Sequence, residues 1–566
     1  MLAGSAIFAL WLVASVISLR KASSELEEGR RRFRSVEEVL TFDGAVDGRT
    51  APRLVEAAAP FSAGAAELDR ARLAPLKLLP VVGRQIHSAD AIADSSATVL
   101  RQSARVAEAI DALDTGTPEA RVEGLSRIRA SAGELAATSA AVDLGPRRGL
   151  VGPLANGRRT VAGRLDELNR RLADGTAVLD SLNGLFTSDR QILVLGATNA
   201  EMRVGQGAVT QFGVVSVQGG ELRFSRPMGR VALARPPAPV PVEDPDVGRN
   251  WPFLDASNLS YVGTTPRFDV VARRAAALVE RTTGERFALV VQVDTVALSR
   301  LASLTGPVKV EASSAPLEGD ALLEFLLHDQ YAAITSLGGG RENTERREQI
   351  SAVASEVMER IDGGSLSMGR LVEEMRRLGK SRNVLVHAID PVLEQSVRAV
   401  GLEGGVPPET VTVGLLNAGA NKLDQFVQVR VDLELQPRAD QTRVTARVSV
   451  RNQTPAGEPA YIVGTQPEGT PPQGYAGFLV LEVPEAASAL VPPQGEPLRV
   501  AGSDGRLQVM ATYLRLARGE RADQVFTFEL PTGSEFVILP SGREPGVGWY
   551  LGDDRLGDDE PHRIRV

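Results

Sequence analysis

The sequence predicts a multidomain protein with a helical N-terminal part, a central α/β domain and a C-terminal antiparallel β-sandwich. Three changes of hydrophobic period support this fold class. Apolar residues recur at helical spacing as far as Phe186, buried strands alternate with helices from Gln191, and two-residue alternation begins after about Val411. These changes place the expected domains at residues 1–21, 22–186, 187–405 and 406–566.

The first segment is an almost uninterrupted apolar run from Leu2 to Leu19, close to the length of a membrane-spanning helix. A buried helix and a cleaved signal peptide are the alternatives, but only Met1 stands where a signal peptide carries basic residues. We expect residues 1–21 to form an uncleaved transmembrane anchor. The flanking basic residues Arg20 and Lys21 follow the run, which by the positive-inside rule would place the bulk of the chain in the cytoplasm.

Helical spacing then continues from Ala22 to about Phe186, which predicts an antiparallel bundle or stalk. The apolar stretch interrupted by Pro75 and Pro80 would be a bend between helices, and a contact with a membrane surface is the alternative. The clearest helix has an apolar seam with steps of four and three and a gap at Gly175. The seam consists of Val161, Leu165, Leu168, Leu172, Leu179, Leu182 and Phe186.

The α/β domain is organised around the stretch from Phe287 to Val310. Its opening run, Phe287 to Val293, is typical of a strand buried on both faces. Asp294 stands at a helix N-cap position, Gly306-Pro307 ends that helix, and Val308 begins a second strand. A hairpin around Gly219-Gly220 and an amphipathic helix over residues 268–281 precede this unit, and a strand is expected over residues 383–389.

The C-terminal part alternates apolar and polar residues, most clearly from Val427 to Leu435 and from Val444 to Val450. This pattern predicts strands with one solvated face. Further strands separated by Pro and Gly turns suggest an antiparallel sandwich that resembles immunoglobulin-like folds. Nothing in it indicates catalysis, so an interaction or spacer module is expected.

Composition limits the chemistry. A net charge of −8 over 566 residues gives no reason to expect nucleic-acid binding. The absence of Cys excludes disulfides, thiolate nucleophiles and sulfur-ligated metals. The four His residues do not pair at metal-ligand spacing, which disfavours zinc.

The segment from Gly338 to Gln349 is the best candidate for binding an anion. Its glycines lead into a helix that carries Arg341, Arg346 and Arg347, so backbone N–H groups and guanidinium groups could meet a phosphate. The alternative is a mobile loop followed by a salt-bridged first turn, with neighbouring glutamates neutralising the arginines. Arg203 and Arg226 lie on other expected loops of the domain and could converge on the same anion.

Several segments in order resemble an uncharacterised family of bacterial cell-envelope domains. They are Ile192–Gly196, Asn199–Arg203 and the stretch from Phe268 to Val310. Members of that family join a membrane anchor, a helical region, this domain and a β-domain that starts near an Asn-Lys-Asp-like stretch, here Asn421–Asp424. The same core is more distantly similar to the LytR-CpsA-Psr family, whose members transfer glycopolymers from polyprenyl-pyrophosphate carriers to peptidoglycan.

The resemblance to these transferases also shows departures. An Arg-Asp pair is reduced to Arg226 followed by Pro227, and the loop from Gly207 to Thr210 lacks the carboxylate expected of a metal ligand. A motif like Arg-x-x-Arg-Gln-Gln keeps Arg347 and Gln349 but not its first Arg. Metal-assisted pyrophosphate transfer needs carboxylates for Mg²⁺. The candidate anion ligands are therefore Arg203, Arg226, Arg341, Arg346, Arg347 and Gln349, with no metal ligand.

From these observations we expect a single-pass, extracytoplasmic envelope protein without a cofactor. It would bind or scaffold a cell-wall glycopolymer, a polyprenyl-linked lipid carrier or an envelope protein partner, without catalysing transfer. The alternative is a phosphotransferase that attaches polyprenyl-pyrophosphate-linked glycopolymer to the cell wall and requires Mg²⁺. The extracytoplasmic location rests on the resemblance and runs against the charge asymmetry at Arg20-Lys21.

Overall fold

A computed structural model describes residues 2–37, 49–113, 117–230, 244–255, 257–335, 340–363 and 368–566. The chain divides into two compact units. The helical unit comprises Met1–Thr187 with Ser367–Glu373, and the second unit comprises Ser188–Leu366 with Glu374–Val566.

The helical unit confirms the predicted helical N-terminal region. Small side chains pack its helices closely, with Ala57 and Ala104 almost fully buried in one shared core. Arg129 forms an ion pair with Asp180 between the last two helices, but the predicted seam is only half-buried there. The helices of this region are α1 (Leu2–Glu37), α2 (Thr50–Leu68), α3 (Ala74–Lys77), α4 (Val82–Asp111), α5 (Pro118–Ala140) and α6 (Gly152–Thr187).

The predicted transmembrane anchor at residues 1–21 is wrong. In the part of the chain that the structure describes, no helix is both long and apolar enough to cross a membrane, and the single-pass membrane location fails with it. The apolar run is the first half of α1, whose second half is strongly charged. Residues of α1 also contact other helices, because Trp11 Nε1 donates to the carbonyl of Arg72 at 2.8 Å and Ala22 packs with Leu68.

The second unit begins with a five-stranded sheet of mixed direction. Its strands are β1 (Arg190–Met202), β2 (Gly207–Gln218), β3 (Glu221–Arg230), β4 (Leu289–Val293) and β5 (Val384–Ala388), in the order β3-β2-β1-β4-β5. Strands β1 and β4 are parallel, and the other neighbours are antiparallel. The predicted hairpin is confirmed, with Gly219 and Gly220 at φ of 56° and 88°, a conformation that favours glycine.

Helices and turns pack on this sheet as the apolar spacing predicts. The apolar face of the predicted amphipathic helix, including Val271 and Leu278, is buried against Leu193 and Val214 of the sheet. The strand predicted at Val308 is reduced to one bridge with Leu317. The helices are α7 (Pro245–Asn250), α8 (Phe268–Thr283), α9 (Thr295–Thr305), α10 (Gly319–Glu324), α11 (Gln330–Ala332), α12 (Gly340–Asp362), α13 (Met368–Lys380) and α14 (Pro391–Ala399), with a π turn at Phe325–Asp329.

The C-terminal region forms two six-stranded sheets that share one hydrophobic core. The strands are β6 (Thr410–Asn417), β7 (Val427–Pro437), β8 (Gln441–Asn452), β9 (Tyr475–Pro484), β10 (Ser488–Val491), β11 (Val500–Asp504), β12 (Leu507–Leu516), β13 (Arg521–Pro531), β14 (Glu535–Ile538), β15 (Gly548–Leu551), β16 (Asp554–Leu556) and β17 (His562–Arg565), with a short helix α15 (Ala460–Val463). The orders are β10-β13-β8-β7-β15-β16 and β11-β12-β9-β6-β14-β17.

These sheets correct the predicted antiparallel sandwich. β14 pairs in parallel with β6, and β15 pairs in parallel with β7, so both sheets are mixed. The alternation in β7 and β8 is confirmed, since their apolar residues are buried and most of the intervening residues are not. The sequence concealed the parallel pairs because β14 and β15 are only four residues long.

The core of these two sheets continues into the α/β part of the same unit. Ala200 and Tyr331 belong to the core that includes Val429 and Leu481, and Val204 packs in a smaller cluster with Leu416. The C-terminal sheets therefore lie against the end of β1, where the candidate site is formed.

Candidate functional site

The candidate site lies where the two parallel strands of the central sheet end. β1 and β4 run side by side from the pair Ile192 and Leu289 to the pair Gly196 and Val293. Their carboxyl ends therefore meet at one edge of the sheet, the usual place for ligand sites in sheets with parallel strands. The residues that follow are polar yet buried, which is expensive unless they are paired.

Asp294 follows β4 directly and holds this edge together. Its Oδ1 accepts from the Ala297 N–H at 2.8 Å, which caps α9 as predicted. Its Oδ2 accepts from the side-chain amides of Asn199 at 2.8 Å and Asn383 at 2.7 Å. Burial raises the pKa of Asp294 to about 7, although the hydrogen bonds from Asn383, Ala297 and Asn199 oppose this shift. Asp294 is thus a structural joint between β1, β4 and the turn before β5.

The last residues of β1 carry a buried ion-pair chain. Glu201 pairs with Arg203 through Nη2 at 2.8 Å and with Lys422, which lies between β6 and β7. Burial disfavours the ionised form of Glu201, but Lys422 and Arg203 outweigh it and lower its pKa to about 2. Burial likewise opposes the charge on Lys422, yet Glu201 raises its pKa. Glu201 is therefore ionised and Lys422 protonated at neutral pH.

Tyr331 connects this chain to a third buried cation. Lys422 Nζ lies 5.6 Å from the centre of the Tyr331 ring, and Arg346 Cζ lies 5.0 Å from it. The Tyr331 hydroxyl is 3.0 Å from Thr198 Oγ1, and Tyr461 stacks on the ring with a centroid distance of 6.2 Å. We call Glu201, Arg203, Tyr331, Arg346 and Lys422 the cationic cluster.

The partners of Arg346 are neutral. Its Nε and Nη2 donate to Asn343 Oδ1 at 3.1 and 3.0 Å, and its Nη1 donates to Gln330 Oε1 at 2.9 Å. Arg346 is only 8% exposed, and within the described ranges it forms no ion pair. The cationic cluster therefore holds three positive side chains against the single carboxylate of Glu201, an excess of positive charge in a poorly solvated place.

A second buried network, next to the cluster, carries no net charge. Asp424 accepts from the backbone N–H of Met202 at 2.9 Å and from Tyr475 at 3.1 Å, and it lies 3.3 Å from Arg543. Both charged side chains are almost completely buried. Burial and the neighbouring Asp424 raise the pKa of Tyr475 well above its ordinary value. Because one Arg faces one Asp, this network fixes β1 to the C-terminal sheets without adding net charge.

Two of the six predicted anion ligands belong to one network, which connects them through Glu201, Lys422 and Tyr331. Arg203 and Arg346 both belong to the cationic cluster. Arg341 does not, since its side chain is 91% exposed and pairs with Glu345, as the alternative of a salt-bridged turn predicts. The carbonyl of Arg347 accepts from Gln211 Nε2 at 3.1 Å, which is a structural contact with β2.

The remaining two predicted ligands, Gln349 and Arg226, do not belong to the cationic cluster as far as the structure describes them. With its amide oxygen turned towards the 311–312 turn, Gln349 accepts from the Ala312 N–H at 2.9 Å and the Glu311 N–H at 3.1 Å. The backbone of Arg226 lies in β3 opposite Val214, and its side chain lies outside the described part of the structure. The glycines at 338 and 339 lie outside it as well.

Sequence reasoning missed Glu201, Tyr331 and Lys422 as members of the site. Glu201 and Lys422 lie in segments that carry the family resemblance, but they are separated by more than two hundred residues. No periodicity connects them, because their contact depends on how the C-terminal sheets pack against β1. The available signal was a run of polar residues at the end of an otherwise buried strand.

The described residues contain no group of three or more His, Asp or Glu side chains arranged to hold a metal ion. The acids nearest the cluster are used in pairs with Arg or Lys. What the arrangement offers chemically is a set of guanidinium and ammonium donors beside stacked tyrosine rings, which suits an anion with an apolar or ring-shaped neighbour.

Comparison with known proteins gives one match. Residues 188–331 match a family model described as "Protein of unknown function (DUF4012)". This segment runs from the start of β1 to Tyr331 and agrees with the expected resemblance to an uncharacterised family. Searches of curated proteins and of solved structures found no match.

Proposed function

We propose that the protein is a non-catalytic binding or scaffolding protein whose ligand is an anionic, phosphate-bearing molecule held at the cationic cluster. The ligand classes we favour are a cell-wall glycopolymer and its polyprenyl-phosphate carrier. The observation that carries this proposal is the charge of the cluster, in which Arg203 and Lys422 share the carboxylate of Glu201 while Arg346, on the Tyr331 ring, has none. A protein partner that presents a phosphate or carboxylate would satisfy the same chemistry.

The position of Arg346 supports binding of an anion. A buried guanidinium usually has a carboxylate partner, because its charge loses hydration on burial. Here the partners are the amide oxygens of Asn343 and Gln330 and the face of Tyr331. A phosphate could accept from the same donors and would form charge-assisted hydrogen bonds, which are about twice as strong as neutral ones.

Access to the cluster lies on the side of Lys422 and Glu201. Their side chains are 12% and 13% exposed, whereas that of Arg203 is only 2% exposed. A phosphate group arriving from this side would meet Lys422 first and would compete with Glu201 for it. The stacked rings of Tyr331 and Tyr461 provide an apolar wall beside that contact.

The distant similarity to LytR-CpsA-Psr transferases supports the phosphate-bearing class of ligand as part of this proposal. Of the residues carried over from that similarity, Arg347 accepts from the Gln211 side chain through its backbone carbonyl. Gln349 accepts from backbone N–H groups through its side-chain amide oxygen. We therefore assign recognition to Arg203, Arg346 and Lys422 and assign no transfer step.

Isothermal titration of the full chain with inorganic pyrophosphate and with geranyl pyrophosphate tests the proposal. We expect Arg346→Met and Lys422→Met each to weaken binding by roughly tenfold or more, since a hydrogen bond to a charged group contributes about 1.5–3 kcal/mol. Arg341→Met is the matched control, because it removes an exposed Arg from the same helix.

Binding that is lost in Arg341→Met but kept in Arg346→Met would refute the assignment to the cluster. Failure of the unaltered chain to bind either probe would refute recognition of phosphate. Turnover of a polyprenyl-pyrophosphate-linked glycan in the presence of Mg²⁺ would refute the non-catalytic part and favour the phosphotransferase alternative.

A further inference from the structure

Two connecting segments of the helical unit hold large apolar side chains in solvent. At the junction of α3 and α4, Leu78, Leu79, Val81 and Val82, the first residue of α4, are 85, 49, 65 and 36% exposed, and between α5 and α6 Val151 is 57% exposed. Single exposed apolar residues are common, but adjoining ones in a folded turn indicate an interaction surface. We call these five side chains the apolar tip.

Hydrogen bonds between side chains of α4 and the backbone of the second segment fix the two segments to each other. Gln85 donates from Nε2 to the Gly149 carbonyl at 2.7 Å, and its Oε1 accepts from the Val151 N–H at 3.0 Å. Ser88 Oγ donates to the Leu144 carbonyl at 3.3 Å. These bonds place Val151 beside the turn that carries the four apolar residues at the junction of α3 and α4.

The turn itself is closed tightly. A β-carbon at Gly83 would lie 2.1 Å from the carbonyl oxygen of Lys77, so a larger residue does not fit there. The Gly83 N–H donates to the Leu79 carbonyl at 2.8 Å, and Arg84 Nε donates to the Pro80 carbonyl at 2.6 Å. The exposure of Leu78 and Leu79 therefore follows from a defined turn.

The sequence around the tip is basic although the whole chain has a net charge of −8. Residues 70–89 and 144–165 contain no Asp or Glu. Across the described residues, Arg84, Arg147 and Arg148 form no ion pair, and all three are exposed. The Lys and Arg residues of the two segments are Arg70, Arg72, Lys77, Arg84, Arg147, Arg148, Arg158, Arg159 and Arg164. Of these, Arg70 and Arg72 pair with Glu67, and Lys77 pairs with Asp69.

We propose that the apolar tip inserts peripherally into an anionic lipid surface and that Arg84, Arg147 and Arg148 contact the lipid headgroups. Leucine and valine side chains gain by leaving water for the acyl boundary, while arginines on the rim are attracted to negative headgroups. The tip lies on the surface and spans nothing, so this inference is independent of anion binding at the cationic cluster.

Charge decides between lipid and a second copy of the chain. In a two-fold symmetric dimer, the same patch faces itself, so the arginines around one tip would meet those around the other. Like charges brought together in this way oppose association. An anionic lipid surface offers both an apolar phase and the opposite charge.

Flotation of the full chain with vesicles tests the proposal. Vesicles of phosphatidylglycerol and phosphatidylcholine in equal parts should carry the protein upward, and vesicles of phosphatidylcholine alone should carry much less. We expect the double variant L78S/L79S to reduce binding by roughly tenfold or more, because burial of one leucine side chain strengthens association by about that factor. The variant R147Q/R148Q should also reduce binding, and its residual binding should depend less on salt.

Val55→Ser is the matched control, because Val55 is 48% exposed on α2 of the same unit and should float like the unaltered chain. Unchanged melting of L78S/L79S by circular dichroism would confirm that the variant folds. Equal flotation of L78S/L79S and the unaltered chain would overturn the proposal. So would self-association in analytical ultracentrifugation that requires Leu78 and Leu79 without lipid, because the tip would then be an interface between copies.

Discussion

Asn199 Nδ2 donates to Asp294 Oδ2 at 2.8 Å and thereby ties the carboxyl ends of the two parallel strands to each other. Asn199 Nδ2 also donates to the Gly542 carbonyl at 2.8 Å, which belongs to the C-terminal region. One amide therefore connects β1, the cap of α9 and the C-terminal sheets. This contact explains why a helix cap recognisable in the sequence also stabilises packing across the unit.

We expect Asp294→Ala to destabilise the second unit by about 2–4 kcal/mol. Loss of an N-cap costs about 1 kcal/mol, and the buried Asn383 amide left without its acceptor costs about 1–3 kcal/mol, whereas Asn199 Nδ2 keeps the Gly542 carbonyl as its acceptor. Denaturant unfolding followed by tryptophan fluorescence measures the change, since Trp251 and Trp549 are buried in this unit.

The matched control for Asp294→Ala is Thr117→Ala at the N-cap of α5, where the side chain accepts from the Ala120 N–H at 3.1 Å. That exposed cap has no buried amide partners, so about 1 kcal/mol is expected. Equal effects of the two variants would mean that Asp294 acts only as a cap.

We expect Glu201→Gln to destabilise the protein by about 3–5 kcal/mol, since it leaves the cations of the cluster without a carboxylate. Glu201 touches both Arg203 and Lys422. Adding Lys422→Met to this variant removes one uncompensated charge and should restore part of the loss. A thermodynamic double-mutant cycle checks this coupling, and additive effects would contradict a shared ion-pair chain.

The pH dependence of Glu201 has a defined sign. Lys422 and Arg203 lower its folded pKa to about 2 from an ordinary 4.5. Between about pH 2 and pH 4.5, the folded state therefore binds fewer protons at Glu201 than the unfolded state does. The contribution of Glu201 is fully present above about pH 4.5 and is lost as pH falls towards about 2.

The sequence predicted those features that depend on neighbours along the chain. The hairpin at Gly219-Gly220, the helix over Phe268–Thr283, the cap at Asp294 and the alternation in β7 all follow from turn chemistry or hydrophobic period. The prediction of a strand at Val308 was wrong, because two alternating valines are compatible with a single β-bridge as well as with a strand. The length and hydrophobicity of the apolar run in α1 predict an anchor, because they do not show which helices pack against it.

The candidate site could be predicted only in part. Arg203 and Arg346 were found because each follows a recognisable pattern, a strand end or a basic helix start. Lys422 and Tyr331 were not found, since their neighbours are set by packing of the C-terminal sheets on β1. Local patterns also could not show that Arg341 forms an ion pair with Glu345. Nor could they show that Arg346 has only neutral hydrogen-bond partners.

We expect Gly414→Ala to destabilise the second unit by about 1–3 kcal/mol, as overpacking of a closed contact usually does. A β-carbon at Gly414 would lie 2.1 Å from the carbonyl oxygen of Val204, so β6 and the turn after β1 must separate. Thermal unfolding measures the change. Gly133→Ala is the control, because a β-carbon at Gly133 meets nothing within 4 Å, and this variant should be neutral or stabilising. Gly533→Ala is unsuitable, since Gly533 has a φ of 85°.

Glu482 lies in β9 and is only 1% exposed. Burial raises its pKa well above the ordinary 4.5, and the neighbouring Asp504, to which it is hydrogen-bonded, raises it further. Asp504 in turn pairs with Arg267, which also contacts Asp244. The folded protein therefore keeps a proton on Glu482 at a pH where the unfolded chain has released it.

This relation fixes the sign of a pH effect. Between about pH 4.5 and its raised folded pKa, Glu482 binds a proton in the folded state that the unfolded state has released. Its contribution to stability therefore falls as pH rises through this range, by up to about 1.4 kcal/mol per pH unit. We expect Glu482→Gln, which remains neutral, to melt at the same temperature as the unaltered chain near pH 4.5 and at a higher temperature near pH 8. Melting curves over this range measure the difference. Glu529→Gln is the control, because Glu529 is held by Arg438 and Arg443 at 3.1 and 3.0 Å and should not gain stability at high pH. A melting difference between Glu482→Gln and the unaltered chain that stays constant with pH would show that Glu482 is ionised in the folded protein.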